Sequence, residues 1–325
     1  MKKLFDLTRI GSLSLQNRII RSAVTDRTFD GYISDSIINN YEQTASGGVG
    51  AIVTGTTLVD GEEKLLPVTA LCSDSFIPGH KRLAEAVRKH GVTIISQLAY
   101  IGSYTATGDN GGLVTLAPSS VPNIVTGTLA REMRAGEIKL LQKRFADAAV
   151  RAKEAGYCGV QLHCAHGLLL SQFMTPHYNH RNDEYGGPVE NRARMITETY
   201  SAVRRATGYD FPVWVKINSS DGIENGVTED DVYYLAKTLA SMGVDAIEVS
   251  GNWTPYLLKS GAYFKAAAEF IANENSVPVI LTGGNRKFHE MDAILNETKI
   301  GYFGMARPFI REPGLMERLR REAGA

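Results

Sequence analysis

The strongest constraint on this chain is a repeated alternation. Short apolar runs at 17–23, 51–59, 92–98, 159–162, 212–218, 246–250, 277–282 and 300–305 read as strands. Between and after them, helical signals cover 34–46, 80–90, 136–155, 189–207, 228–242, 264–273, 288–297 and 313–321. Ser34 caps one such segment and Gly47 follows it; Thr228-x-x-Asp231 caps another and Gly243 stops it. Ahead of the first strand, Phe5, Leu7 and Ile10 flank Gly11-Ser12, and Leu13 and Leu15 alternate after it, which predicts a β-hairpin. Eight strands alternating with seven or eight helices, with no dinucleotide-type second half, argue for an α/β fold, a (β/α)8 TIM barrel with an N-terminal β-hairpin. A doubly wound open sheet is the alternative. No linker or shift in composition divides the chain, so 1–325 is expected to be a single barrel domain.

Bulk properties remove several function classes. The 35 basic and 35 acidic side chains cancel, leaving no electrostatic footprint for nucleic acid or an anionic membrane. No apolar run approaches the roughly 18 residues that span a bilayer, and the start lacks the apolar core of a signal peptide. The three cysteines, Cys72, Cys158 and Cys164, are odd in number and form no Cys-x-x-Cys, which points to a reducing, cytoplasmic setting.

In a parallel barrel, chemistry gathers where strands end, and several strand ends here turn polar. The fourth strand runs into a polar loop carrying His163, Cys164 and His166. Those three are conceivable zinc ligands, but adjacent positions converge poorly on one tetrahedral site and no fourth ligand has suitable spacing, so no metal is expected. Structural histidines are the plainer alternative. Gln97 closes the third strand; its amide can donate and accept at once, or tie two strands together. Lys216 lies inside the apolar fifth strand, Val-Trp-Val-Lys-Ile-Asn, where an ammonium is costly unless it meets an anion or reaches solvent. Gly283-Gly284 ends the seventh strand and Ala306-Arg307 the eighth, where phosphate-binding barrels form their anion site. Thr25 follows the first strand, where a threonine can also simply cap a turn. The stretch from Tyr100 to Arg134 is a long Gly-, Ser- and Thr-rich excursion, of a length that usually carries function.

The segment HCAHGLLLSQFMTPHYNHRNDEYGGPVENRAR, 163–194, resembles the signature of the old yellow enzyme family, the FMN-dependent ene reductases. The shared pattern is His-x-Ala-His/Asn-Gly, Leu-Leu-x-Gln-Phe, Pro-His-x-Asn, Arg-x-Asp-Glu-Tyr-Gly-Gly and Glu-Asn-Arg-x-Arg, and the resemblance extends over essentially the whole chain. It implies non-covalent FMN, reduced by NADH or NADPH, passing hydride to an activated alkene: an enone, enal or nitroalkene. It implies that Ala23 and Val24 lie along the ring by their backbone, that Thr25 contacts the ring edge, and that Thr56 also belongs to the flavin site. Gln97 would meet the pyrimidine, and Lys216 would stand at the family's Arg/Lys position near N1 and O2. Gly283, Gly284, Ala306 and Arg307 would hold the phosphate, with alanine at 306 where glycine is usual. His163 and His166 would hold the substrate's activating group.

The same resemblance exposes a departure. Most members have tyrosine where this chain has Leu168, and that tyrosine delivers a proton. Tyr100 or Tyr104, after the third strand, are candidate replacements, and Tyr100 and Leu168 are assigned to the substrate pocket. Asp183 to Gly187 and Glu190 to Arg192 read as scaffold, and His177 and His180 as loop residues. Relatives with an iron–sulfur cluster and a second flavin domain extend beyond the barrel; this sequence stops just past it and has no such cysteine cluster, so neither is expected. The expected partner is a small molecule, with a homo-oligomer left open. An amine dehydrogenase or demethylase type of flavoprotein, or a non-catalytic FMN-binding barrel subunit, are the alternatives.

Overall fold

The computed structural model describes residues 1–28, 30–61, 67–105, 114–251, 261–312 and 314–324. Two short antiparallel strands, β1 (Thr8–Ile10) and β2 (Leu13–Leu15), form the expected hairpin. Then come β3 (Ile19–Arg21), β4 (Ala51–Leu58), β5 (Thr69–Ala70), β6 (Thr93–Ala99), β7 (Leu116–Ala117), β8 (Arg131–Glu132), β9 (Gly159–Cys164), β10 (Val213–Asn218), β11 (Ala246–Ser250), β12 (Val279–Thr282) and β13 (Tyr302–Met305). The parallel order β3-β13-β12-β11-β10-β9-β6-β4 closes on itself through β3 and β4, with β5 added beside β4. The barrel is therefore the (β/α)8 architecture, and the open sheet is excluded.

The helices are α1 (Asp35–Ser46), α2 (Ile77–Arg88), α3 (Ala135–Glu154), α4 (Leu169–Met174), α5 (Val189–Arg192), α6 (Arg194–Thr207), α7 (Glu229–Ser241), α8 (Lys265–Glu274), α9 (Phe288–Glu297), α10 (Arg307–Arg311) and α11 (Leu315–Ala323). Their starts follow local chemistry. Ser34 Oγ accepts the Ile37 N–H at 3.3 Å, and Thr228 and Asp231 form a reciprocal capping box at 3.2 and 3.1 Å.

Three sequence expectations need correction. His163 and Cys164 lie on β9 rather than in a loop, because Lys216↔His163 and Ile217↔Cys164 extend the pairing with β10. The helix expected over 189–207 breaks at Ala193 into α5 and α6. Arg192 ends α5 buried, donating to the Gly187 carbonyl at 3.0 Å, to the Met174 carbonyl and to Asp231 at 2.7 Å. The 100–134 excursion contains a 3-10 turn at Gly102–Tyr104 and the small β7–β8 pair; residues 106–113 of it lie outside the described residues.

Strand alternation sorts the core into two parts. Ile19, Ile94, Val215, Ile247, Leu281 and Phe303 face outward into the large cluster beneath the helices. Their neighbours Ile20, Ile95, Trp214, Ala246, Ile280 and Tyr302 fill the barrel's interior, together with Ile10 and Leu15 of the hairpin. Between β3 and β4, Gly50 donates its N–H to the Ile19 carbonyl at 2.9 Å, and a Cβ there would sit 2.3 Å from the Asn17 carbonyl oxygen. Gly50→Ala is therefore expected to cost about 1–3 kcal/mol by overpacking the barrel seam. Urea unfolding measures it, and a loss below about 0.5 kcal/mol would mean that the seam relaxes freely.

Candidate active site

Two residues further along each strand, the interior changes from apolar to polar. Ser22, Gln97, Gln161, Lys216, Glu248 and Thr282 are all buried at this level. Glu248 is the hub: its Oε1 accepts from Ser22 Oγ at 2.8 Å and Thr282 Oγ1 at 2.8 Å and pairs with Lys216 Nζ at 3.0 Å, while its Oε2 accepts from Gln161 Nε2 at 2.7 Å. Gln161 Oε1 in turn accepts from Gln97 Nε2 at 2.8 Å. Burial pushes the Glu248 carboxyl up, but the Lys216 charge and the bonds from Gln161, Lys216 and Thr282 outweigh it and hold the group below its ordinary range. The anion that Lys216 needs is thus present within the barrel, on the next strand, in direct register.

Above this level the histidines gather. Their rings stand 5.1 Å apart and nearly perpendicular. The Ala165 N–H donates to His163 Nδ1 at 3.3 Å, so a neutral His163 carries its proton on Nε2. His166 adopts φ +58°, a left-handed conformation rare outside glycine. Its N–H donates to Asn218 Oδ1 at 3.0 Å, and its Nε2 lies 3.0 Å from Ser250 Oγ. Burial, then His166 and Lys216, hold the His163 imidazole well below its ordinary value; burial and Lys216 bring His166 to about 3, opposed by Glu248. Both rings are neutral at pH 7.

A cavity of about 750 Å³ opens over this floor, within the range of small-molecule sites. Of the residues anticipated from sequence, Ala23, His166, Lys216, Gly283, Gly284, Ala306 and Arg307 line it. Gln97, Thr56 and His163 are buried in the barrel wall beneath, the Thr56 carbonyl accepting from Thr69 Oγ1 at 3.0 Å. Val24 is half-buried and Thr25 exposed after β3. Tyr100 and Leu168 are buried, and Tyr104 stands on the cavity wall instead. The 183–192 segment does form scaffold: Arg181 grips Asp183, Asn191 Nδ2 donates to the Gly186 carbonyl at 3.1 Å, and Tyr185 donates to Glu198 at 2.7 Å.

The far end of the cavity is cationic. Gly283 and Gly284 have φ +120° and +84°, and a Cβ on Gly284 would meet the Gly261 carbonyl at 1.8 Å, so the backbone itself forms this wall. Arg307 begins α10 there, accompanied by Arg286, Arg311 and an Arg318 already paired to Glu312 and Glu322. Asn285, also on the wall, donates to the Leu281 and Gly304 carbonyls at 2.7 and 3.0 Å, and its buried Oδ1 has no partner among the described residues.

Residues 3–324 match the NADH:flavin oxidoreductase / NADH oxidase family. The chain belongs to this family. It is 35% identical over 323 residues to a metal reductase of Desulforamulus reducens, covering 97% of this chain and 48% of that one. It is 32% identical over 316 residues to an NADPH dehydrogenase of a Geobacillus species, covering 95% and 91%. Morphinone reductase in complex with tetrahydroNAD superposes with a TM-score of 0.87 at 25% identity, over 99% of this chain and 92% of that one. The chain spans about half the length of the first curated relatives it matches.

FMN is the cofactor that this family's name implies, and the residues present fit it. Lys216 and Gln97 underlie one end of the cavity. The glycine wall and Arg307 would offer backbone and guanidinium donors to its phosphate, and Asn285 Oδ1 would offer a buried acceptor to a hydroxyl donor. Glu248, Gln161, Asn285, Arg286 and Arg311 escaped the sequence reading. The first two are inward polar residues within apolar strands, the same signal that marked Lys216.

The depressed His163 value predicts a pH dependence. The unfolded chain takes up this proton below about pH 6.5 and the folded chain does not. The contribution is therefore full above that pH and is lost as pH falls, by up to about 1.4 kcal/mol per unit. His163→Asn should flatten the stability profile between about pH 6.5 and pH 5 by that slope. Urea midpoints across the range test this; an unchanged slope would mean that His163 protonates with ordinary affinity.

Proposed function

We propose that this protein is an FMN-dependent, NAD(P)H-driven oxidoreductase that reduces alkenes activated by a carbonyl or nitro group. The observation that carries the reading is one cavity lined by Lys216 and a neutral His166, with a neutral His163 buried beside them, and walled elsewhere by Gly283, Gly284 and Arg307. Bound FMN, once reduced by NAD(P)H, supplies the hydride. The chain's own residues bind and orient. Gly283, Gly284, Ala306 and Arg307 hold the phosphate. Ala23 and Val24 run along the ring, with Thr25 and Thr56 near its edge and Gln97 and Lys216 at its pyrimidine. His163, through Nε2–H, and His166 hold the activating oxygen. Donors fixed in place stabilise the charge that develops there more than they stabilise the neutral ground state. His166 is held by Asn218 and Ser250 before any ligand arrives.

Leu168 gives no proton, so the substrate favoured is one whose product anion needs no positioned acid. A nitroalkene fits this better than a simple enone. General acid catalysis is worth about 10²–10⁴ in rate. Leu168→Tyr is expected to raise cyclic-enone turnover within that range and to change the nitroalkene rate little. Fast native enone turnover that collapses in Tyr104→Phe would instead assign the proton to Tyr104.

The deciding experiment is the visible spectrum of the purified protein. Flavin absorbance bleached by NAD(P)H without oxygen, and restored by a nitroalkene, is the expected result. Bleaching by a secondary amine but not by NAD(P)H would favour the amine dehydrogenase reading; flavin bleached by neither would favour a non-catalytic subunit. His163→Ala or His166→Ala should each weaken phenolate binding by about 1.5–3 kcal/mol while flavin content stays near native. Flavin loss with unchanged phenolate affinity would return both histidines to a structural role.

A further inference from the structure

Glu248 is absent from the cavity wall and is completely buried, yet Lys216 and Thr282 on that wall bond to it directly, as does Ser22, and Gln97 reaches it through Gln161. An ionised carboxylate can only accept hydrogen bonds. Gln161 must therefore turn its N–H toward Glu248 Oε2, which turns its carbonyl toward Gln97, and Gln97 must answer with an N–H. That sequence leaves Gln97 its amide oxygen and one further N–H for a ligand. In the other direction, Glu248 Oε1 lies 3.0 Å from Lys216 Nζ, with Ser22 and Thr282 on the same oxygen. The ammonium that borders the cavity has an equal and opposite charge directly beside it, on the adjacent strand.

We infer that Glu248 is the positioning residue of the cavity floor: it neutralises Lys216 and fixes the amide polarity of Gln97, so the floor meets the flavin as a nearly neutral surface. The inference rests on the reading that FMN lies over Lys216. A lone lysine near N1 and O2 would favour the anionic reduced ring strongly; a lysine–glutamate pair favours it much less, because the two charges nearly cancel at the ring. Glu248 therefore holds the flavin's potential below the value that Lys216 alone would set.

The test compares midpoint potentials of FMN-loaded native protein, Glu248→Gln, Lys216→Met and the double variant, with oxidised-FMN affinity measured for each apoprotein. Glu248→Gln, which leaves the lysine charge unopposed, should raise the ratio of reduced to oxidised FMN affinity on the order of tenfold, ~30 mV for a two-electron couple. Lys216→Met, which leaves the carboxylate, should lower the ratio. The double variant has the net charge of the native pair and should return to within about threefold of native. If Glu248→Gln does not fold, the double variant still decides. A double variant as low as Lys216→Met would mean that Lys216 acts unopposed in the native protein, and would overturn the proposal. So would a folded Glu248→Gln whose thermal stability falls while its potential stays native, since a purely structural carboxylate behaves that way. A native protein that takes up no FMN would sink the flavin reading and this inference together; one that binds FMN but fails these comparisons sinks the inference alone.

Discussion

A carboxylate fully enclosed in a barrel is tolerable only if everything around it donates, and the centre of this molecule is arranged on that requirement. Glu248 has four donors from four different strands or strand ends: Ser22, Gln161, Lys216 and Thr282. Removing one partner of a buried ion pair typically costs about 3–5 kcal/mol, because the other charge is left without compensation. The surrounding residues are therefore constrained in type as well as in size. Gly304, on β13 at the same level, obeys the same constraint by having no side chain: a Cβ there would lie 1.8 Å from Thr282 Oγ1 and 2.4 Å from Ser22 Oγ, the two hydroxyls that serve Glu248.

The charge layout above this hub follows from it. With Lys216 compensated from the adjacent strand, the neighbouring imidazoles stay neutral through burial first, His163 then through His166 and Lys216, and His166 through Lys216. Arg286, Arg307 and Arg311, at the opposite end, make no ion pair among the described residues, while Arg318 is held by Glu312 and Glu322. A chain of zero net charge thus concentrates uncompensated positive charge at one end of one cavity. Such an end favours the anionic group of a ligand.

Much of this was legible in the sequence because barrels announce themselves by period. The apolar runs located all eight barrel strands, and polar residues ending or interrupting them marked Gln97, Lys216, His163, His166, Gly283, Gly284 and Arg307. Glu248 in Ala-Ile-Glu-Val-Ser and Gln161 in Gly-Val-Gln-Leu-His-Cys gave an equal signal. A single inward polar residue acquires meaning only from its register partner, and Lys216↔Glu248 and Gln97↔Gln161 are fixed by closure of the sheet. The reach of β9 to Cys164 and the break at Ala193 were illegible for a related reason: each is set by a partner distant in sequence, β10 in the first case and Asp231 in the second. The short α4, six residues of Leu-Leu-Ser-Gln-Phe-Met, is too brief for a period to register.

The loop between β9 and α4 shows how a single departure is accommodated. His166 holds its left-handed conformation through Asn218, whose Nδ2 donates to Asp221 Oδ1 at 2.9 Å; Asp221 in turn accepts from Thr175 Oγ1 at 2.7 Å, just past α4. Both ends of the segment carrying Leu168 are therefore anchored to the loop after β10 before the identity of residue 168 matters. Leu168 then has only to cap α4 with an extended backbone and bury its side chain, and leucine does both. The position is free to lose a phenol without disturbing His163 or His166. A change of side chain at position 168 is thus mechanically separate from His163 and His166, and the scaffold can vary the first while keeping the second.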